Sequence, residues 1–400
     1  MRSPSMSQCA FFPMTNPIQG YEWGSRHALT RLFGIANPDE QPQAELWMGA
    51  HPSGCSLVEQ EGQLIRLDAL IAADPAAMLG EATAARFGTL PFLFKVLCAE
   101  KALSIQVHPS KAQAEAGFAR DNEAGLAPNA PHRNYRDDNH KPELVFALTP
   151  YQAMNGFRPH AEILALFERL ASPALAPLVE AFARAQHEAG LATLFRALLT
   201  LQGAQKEAAL ADLARTAAAC RTEETFALIL HLFEQYPGDV GLFAPLLLNV
   251  VTLQPGQAMF LDACTPHAYV RGTGLEIMAN SDNVLRAGLT PKHMDVDELL
   301  ACTRCEPKPA AEILLAPRRE GRCCHFQVPV PDFTFRIYEA GEHELQGQSA
   351  EVIFAIDAPL TLVSGEQRLS LAIGHSAFVP ASTARYRVES EGRFARAGNR

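Results

Sequence analysis

The chain has 400 residues, of which 48% are hydrophobic and 20% charged, and its formal net charge is −10. That is an ordinary composition for a soluble protein of two or three domains, and the negative balance speaks against broad nucleic-acid binding. The same charge would repel an anionic substrate, so a site for one must carry its own local cations.

The N-terminal stretch MRSPSMSQCAFF has no apolar core long enough for a secretory signal. The most apolar later run, residues 241–251, is broken by Pro245 and Asn249 and is too short to span a bilayer. Nine scattered cysteines, an odd number, do not suggest a disulfide framework. A cytoplasmic protein with reduced thiols and no membrane association is expected.

In chain order, Ala44 to Gly49 reads as a strand ending at Pro52-Ser53-Gly54, and Pro91 to Leu97 (PFLFKVL) as a buried strand. A lysine within that second run, Lys95, needs a partner or a cleft. In Ser104-Ile105-Gln106-Val107-His108-Pro109, polar and apolar residues alternate, which places Ser104, Gln106 and His108 on one strand face. Ser110 caps a short helix over 111–118, residues 121–140 form a polar surface loop, and Pro142 to Leu148 is another strand. From about Pro159 to Tyr236 the apolar residues take helical spacing, and about five helices are expected.

Beyond Tyr236-Pro237-Gly238-Asp239 strands return. They are expected at 246–253 and 258–261, from Cys264 to Val270, and, after Gly274, over 275–279. In the last part, strands are expected at 333–338, 351–356, 360–363, 368–372, 377–379 and 386–388, with a hairpin turn at Ser364-Gly365-Glu366-Gln367. Short strands with regular turns suggest a sandwich or small barrel.

Two groups of residues could bind a metal. Gln106 and His108, two apart on one strand, could share an ion with Glu143 and His267, although a strand histidine taken alone is more often a hydrogen-bonded structural residue. Cys302-x-x-Cys305 with Cys323-Cys324-His325 superficially resembles a zinc ribbon, but adjacent cysteines rarely serve one ion. No nucleotide-binding glycine motif or serine nucleophile motif is present, so a phosphate would have to be held by side chains, with Lys95, Lys141 and Arg286 as candidates.

Several long segments resemble the type I mannose-6-phosphate isomerase (phosphomannose isomerase) family. They are YEWGS at 21–25, AELWMGAHPSG at 44–54, PFLFKVL at 91–97, LSIQVHPSKAQAE at 103–115, residues 139–158, residues 236–261, and TPHAYVRGTGLEIMANSDNVLRAGLTPKH at 265–293. The resemblance implies a mainly β fold with an α-helical insertion. A zinc-binding cupin-type β-barrel (jelly roll) catalytic domain would span 1–157 plus 240–311, the helical insertion 158–239, and a C-terminal cupin-like β domain without metal 312–400. It also implies one Zn2+ per chain, bound by Gln106, His108, Glu143 and His267, and interconversion of mannose 6-phosphate and fructose 6-phosphate through an enediol. Arg286 matches the family's active-site arginine.

Lys95, Trp23, Tyr269, His140, Lys141, Glu276 and Asp282 match pocket positions, and Ser104 joins them beside the ligands. His140, Lys141, Glu276 and Asp282 are all open as the base that moves the proton. A small sugar phosphate is the expected partner, with no nucleic acid and no membrane, and the protein is expected to be a monomer feeding sugar-nucleotide supply. Two alternatives are another cupin metalloenzyme, such as a dioxygenase or epimerase, and a non-catalytic sugar-phosphate-binding protein. Gln106, where cupin dioxygenases usually place a histidine, favours the zinc isomerase.

Overall fold

The structure is a computed structural model that describes residues 9–400; residues 1–8, part of the stretch examined above for a targeting signal, lie outside the described residues. The chain forms two compact units. One comprises residues up to Cys98, Leu275–Asn280 and Leu315–Arg400; the other comprises Ala99–Gly274 and Ser281–Leu314.

The first unit is built mostly from antiparallel strands. Its larger sheet runs Arg318–Glu320, Cys323–Phe326, Thr334–Tyr338, Phe394–Gly398, Glu351–Ala355, Ser376–Val379, Phe12–Thr15, Leu57–Gln60 and Gln63–Arg66. A second sheet runs Gly341–Gln346, Arg385–Ser390, Leu360–Ser364 and Gln367–Leu371. Each order ends on two different edge strands, so neither sheet closes on itself by hydrogen bonding. Ile353, Ala355, Leu362, Val388 and Phe394 are fully buried in a shared core. Within it, Glu351 accepts from Arg396 Nε at 2.5 Å and from the Tyr386 hydroxyl at 2.8 Å, so a buried charge pair is satisfied by hydrogen bonds. The expected hairpin is present, with Ser364 opposite Gln367 and Gly365 at φ 58°, a left-handed conformation that glycine adopts without strain.

Phe12–Thr15, Leu57–Gln60 and Gln63–Arg66 were not anticipated, nor were four strands beyond residue 312. Arg318–Glu320 is wholly exposed, Gly341–Gln346 is mostly polar, Cys323–Phe326 is half-exposed in its middle, and Phe394–Gly398 uses small residues. None of these four shows the apolar alternation that marks a strand in sequence.

The second unit contains the five expected helices, His160–Leu170, Ala176–Ala183, Glu188–Leu199, Gly203–Ala219 and Glu224–Gln235. Their buried stripes, such as Ile163, Phe167 and Leu170 or Leu191, Leu194, Phe195 and Leu198, enter one core with Ile105 and Val107. Ser110 caps its helix through a capping box with Gln113, but the helix continues to Glu123. Gly117 lies in this helix where a Cβ would meet the Tyr135 ring at 2.3 Å. That ring is buried, so the segment read as a surface loop is pinned from inside.

Residues 264–279 also differ from expectation. A single strand, His267–Ala279, replaces two. The Gly272-Thr273-Gly274 stretch lies within it, close to a register shift between Tyr269 and Arg271, and Gly272 at φ 124° passes so near Pro150 O that a Cβ would lie 2.5 Å away. Among the described residues no helix is long and apolar enough to cross a membrane.

Candidate metal centre

Gln106 and Val107 form only a two-residue strand, but it is paired on both sides. Gln106 stands opposite His267 on one neighbour and opposite Arg286 on the other, and His267 stands opposite Asn155 one strand further. Residues on one rung present their side chains to the same face. The β pairing therefore brings together three residues that are far apart in sequence: Gln106, His267 and Arg286. Glu143 heads the strand Glu143–Ala147 and pairs with Leu261. His108 lies just past the short strand and is almost wholly buried.

His108, Glu143 and His267 each offer a ligating atom, and these atoms lie within 4.8 Å of one another. His108 Nδ1 is 3.0 Å from Asn283 O, and His267 Nδ1 is 2.9 Å from Thr265 O. A backbone carbonyl can only accept, so each Nδ1 carries the proton and each Nε2 carries a lone pair. Those Nε2 atoms are 3.2 Å and 3.8 Å from the Glu143 carboxylate oxygens. Both are buried, and neither has a hydrogen-bond partner. Two buried lone pairs facing a carboxylate are unfavourable on their own and become favourable around a cation.

The protonation states agree with this arrangement. Burial lowers the pKa of His108, and burial together with neighbouring His108 pushes His267 down to about 4. Burial by itself would raise Glu143, but His108, Lys141 and His267 outweigh it and hold the carboxyl well below its usual range. Near neutral pH the group is two neutral imidazoles and one carboxylate, a donor set that suits zinc.

The surroundings hold these side chains in place. The Tyr269 hydroxyl donates to Glu143 Oε2 at 2.7 Å, and Lys141 Nζ is 3.9 Å from Glu143 Oε1. Gln106 Nε2 donates to Ser104 Oγ at 3.1 Å, which leaves the amide oxygen as its ligating atom. His140 is half-buried, and Asp282 is exposed with its backbone N–H donated to Asp137. Arg286 is half-buried; burial and the nearby Arg136 lower its pKa. Burial, Arg286 and Arg136 do the same to Lys292. Arg136 and Lys292 thus join Arg286 in a cationic group that sequence reasoning missed, because single charges in polar segments look like ordinary solvated surface.

In the other unit, Lys95 has the partners that its burial demands. Its Nζ is 3.3 Å from Glu45 Oε2 and 3.4 Å from Glu276 Oε1, and it lies 5.0 Å from the centre of the Trp47 ring. Trp47 Nε1 donates to the same Glu45 oxygen at 2.7 Å. Trp23 is half-buried and tilts against Tyr21. Among the described residues the cysteine-rich stretches form no group of three ligands close enough to share an ion, whereas His108, Glu143 and His267 do; burial raises the pKa of the Cys302, Cys305 and Cys323 thiols.

Residues 11–160 match the catalytic domain of type I phosphomannose isomerase, 169–248 its helical insertion domain, and 322–399 the mannose-6-phosphate isomerase cupin domain. The mannose-6-phosphate isomerase of Escherichia coli K12 is 49% identical over 390 residues, covering 97% of this chain and 99% of that one. The human mannose-6-phosphate isomerase is 37% identical over 350 residues, covering 81% and 80%. A crystal structure of zinc-bound mannose 6-phosphate isomerase superposes with a TM-score of 0.94 at 48% identity, covering 98% of this chain and 100% of that one. A helical insertion and a cupin domain within mixed sheets and helices, with near full-length identity of this order, make the chain a member of the type I phosphomannose isomerase family.

Proposed function

We propose that this protein is a zinc-dependent aldose–ketose isomerase that interconverts mannose 6-phosphate and fructose 6-phosphate through an enediol. The supporting observation is the buried His108–Glu143–His267 group, whose two imidazole lone pairs converge on one carboxylate with no proton between them. His108, Glu143 and His267 would hold the ion, with the Gln106 amide oxygen as fourth ligand. Bound there, zinc supplies Lewis-acid polarisation of the substrate oxygens and stabilises charge developing on them.

The protein's own groups do the rest. Tyr269 fixes the Glu143 carboxylate through its 2.7 Å hydrogen bond, and Ser104 fixes the Gln106 amide. Arg286, on the rung of Gln106 and His267, works with Arg136 and Lys292 as the local cations that an overall charge of −10 makes necessary for a phosphorylated substrate. Of the residues open as base, Lys141 in its neutral form has the best support, since its Nζ lies beside the metal group, 3.9 Å from Glu143 Oε1; His140 precedes it in the same loop, Asp282 is exposed, and Glu276 faces Lys95. Lys95 already faces two carboxylates, which suits contact with sugar hydroxyls better than phosphate binding. Lys95, Trp23 and Glu276 keep the pocket roles implied by the family resemblance.

We further read residues 1–157 with 240–311 as a zinc-binding cupin-type barrel, 158–239 as the helical domain and 312–400 as a cupin-like domain, in a cytoplasmic monomer. The test is mannose 6-phosphate isomerisation before and after chelation, with zinc added back. Loss on chelation and recovery with zinc are expected; full activity after complete metal removal would refute the proposal.

A further inference from the structure

The segment that carries His140 and Lys141 is fastened by one buried amide. Asn283 is fully buried. Its Oδ1 accepts from the backbone N–H groups of Arg136 at 2.8 Å and Asp137 at 3.2 Å. Its Nδ2 donates to Asp137 O at 2.8 Å, to Asp137 Oδ1 at 3.0 Å and to Asn139 O at 3.0 Å. Ser281 Oγ donates to Asp137 Oδ1 at 2.8 Å and accepts the Asn283 N–H at 3.1 Å. Asp282 N–H donates to Asp137 Oδ2 at 2.7 Å, and Asn139 N–H to Asp137 Oδ1 at 3.0 Å. The backbone carbonyl of Asn283 receives the Nδ1 proton of His108.

We propose that Asn283 and Asp137 form a clasp that sets the orientation of His108 and the position of the His140–Lys141 segment together, making Asn283 a positioning residue for the metal centre. The imidazole of His108 points according to where its Nδ1 acceptor lies. That acceptor belongs to the 281–283 segment, which these hydrogen bonds staple to the 136–139 loop. A shift of the loop therefore moves the carbonyl that aims His108, and loss of the amide releases both. No apolar side chain could replace it, because two amide donors and one acceptor are all used inside the protein. An isosteric carboxylate would fail as well: its oxygens would face Asp137 Oδ1 and two carbonyls where N–H groups now stand.

This inference rests on the functional reading above, so wild-type enzyme is measured alongside Asn283→Ala, Asn283→Asp and Ser281→Ala. The readouts are zinc affinity by competition with a chelating dye, kcat and KM for mannose 6-phosphate, and thermal unfolding. Asn283→Ala is expected to weaken zinc binding about 10–100-fold and to lower kcat by more than it raises KM. Asn283→Asp should be at least as impaired, and Ser281→Ala, which removes one hydroxyl from the clasp, should show a smaller loss in the same direction. A folded Asn283→Ala with zinc affinity within about twofold of wild type would overturn the clasp, whatever its melting temperature. If that variant does not fold, Ser281→Ala with unchanged zinc affinity and kcat would overturn it. A wild type that neither binds zinc nor isomerises would instead overturn the functional reading, and the clasp with it.

Discussion

Gln106 and His267 are direct partners across two antiparallel strands although 161 positions apart in the chain, and Arg286 faces Gln106 from the other side. The amide, the imidazole and the guanidinium therefore share one rung, and Glu143 and His108 complete a buried donor set beside it. This places two of the proposed ligands, Gln106 and His267, and the Arg286 cation within one ladder.

Removing one ligand should be much more costly than changing its supports. Glu143→Ala leaves two imidazoles with no anionic donor, and kcat/KM should fall about a thousandfold, the equivalent of about 4 kcal/mol. Tyr269→Phe removes the 2.7 Å hydrogen bond that orients Glu143 while leaving every ligand in place, and a loss of about 10-fold in zinc affinity is expected. Steady-state kinetics and zinc titration of the two variants check this order; equal losses would contradict it.

The cationic group should act on binding rather than on chemistry. Arg136 is exposed and close enough to Arg286 to depress it. Arg136→Ala should raise KM for mannose 6-phosphate about 10-fold, the loss of one charge-assisted contact, with kcat nearly unchanged. The effect should shrink at high salt. A fall in kcat at constant KM would place Arg136 elsewhere in the mechanism.

Lys95 gives a stability prediction. Lys95→Met would leave Glu45 and Glu276 buried without the ammonium between them. A loss of about 3–5 kcal/mol is expected in chemical denaturation. Full stability with a raised KM would instead mark a lysine whose main partner is substrate.

A pH effect should arise at His325, in the other unit from the metal group. His325 stands opposite Arg318 on one neighbouring strand and Arg336 on the other. Burial, then Arg336, pushes its pKa down to about 4. Between pH 6.5 and 4 the unfolded chain binds this proton and the folded one does not, so stability rises with pH across that window and is lost as pH falls through it. Because His325 is only half-buried, about 1–2 kcal/mol is expected. Denaturation curves at pH 7 and 5 should differ by less in His325→Gln; an unchanged difference would rule out this source.

Much of the site was legible before the fold was known, but unevenly. The alternation at Ser104–His108 correctly separated Ile105 and Val107, which enter the core, from the polar residues. It did not reveal that the ladder covers only Gln106 and Val107, because strand length here is set by partners found much later in the chain. Lys95 announced its burial by its apolar neighbours, and Glu45 was already in view in a neighbouring motif, but their pairing depends on strand register. Asn283, Arg136 and Lys292 were not legible as a group, since isolated polar residues acquire meaning only through tertiary neighbours. Strands such as Arg318–Glu320 escaped for the opposite reason: edge strands facing water carry no apolar pattern.

The most direct test is to titrate zinc into metal-free enzyme while following bound metal and mannose 6-phosphate isomerisation together, for wild type and Glu143→Ala. Wild-type activity should rise in proportion to bound zinc and saturate at one equivalent per chain, and the variant should gain neither high-affinity zinc nor rate. Isomerase activity in the metal-free protein, or full activity of the variant, would contradict a zinc centre built on His108, Glu143 and His267.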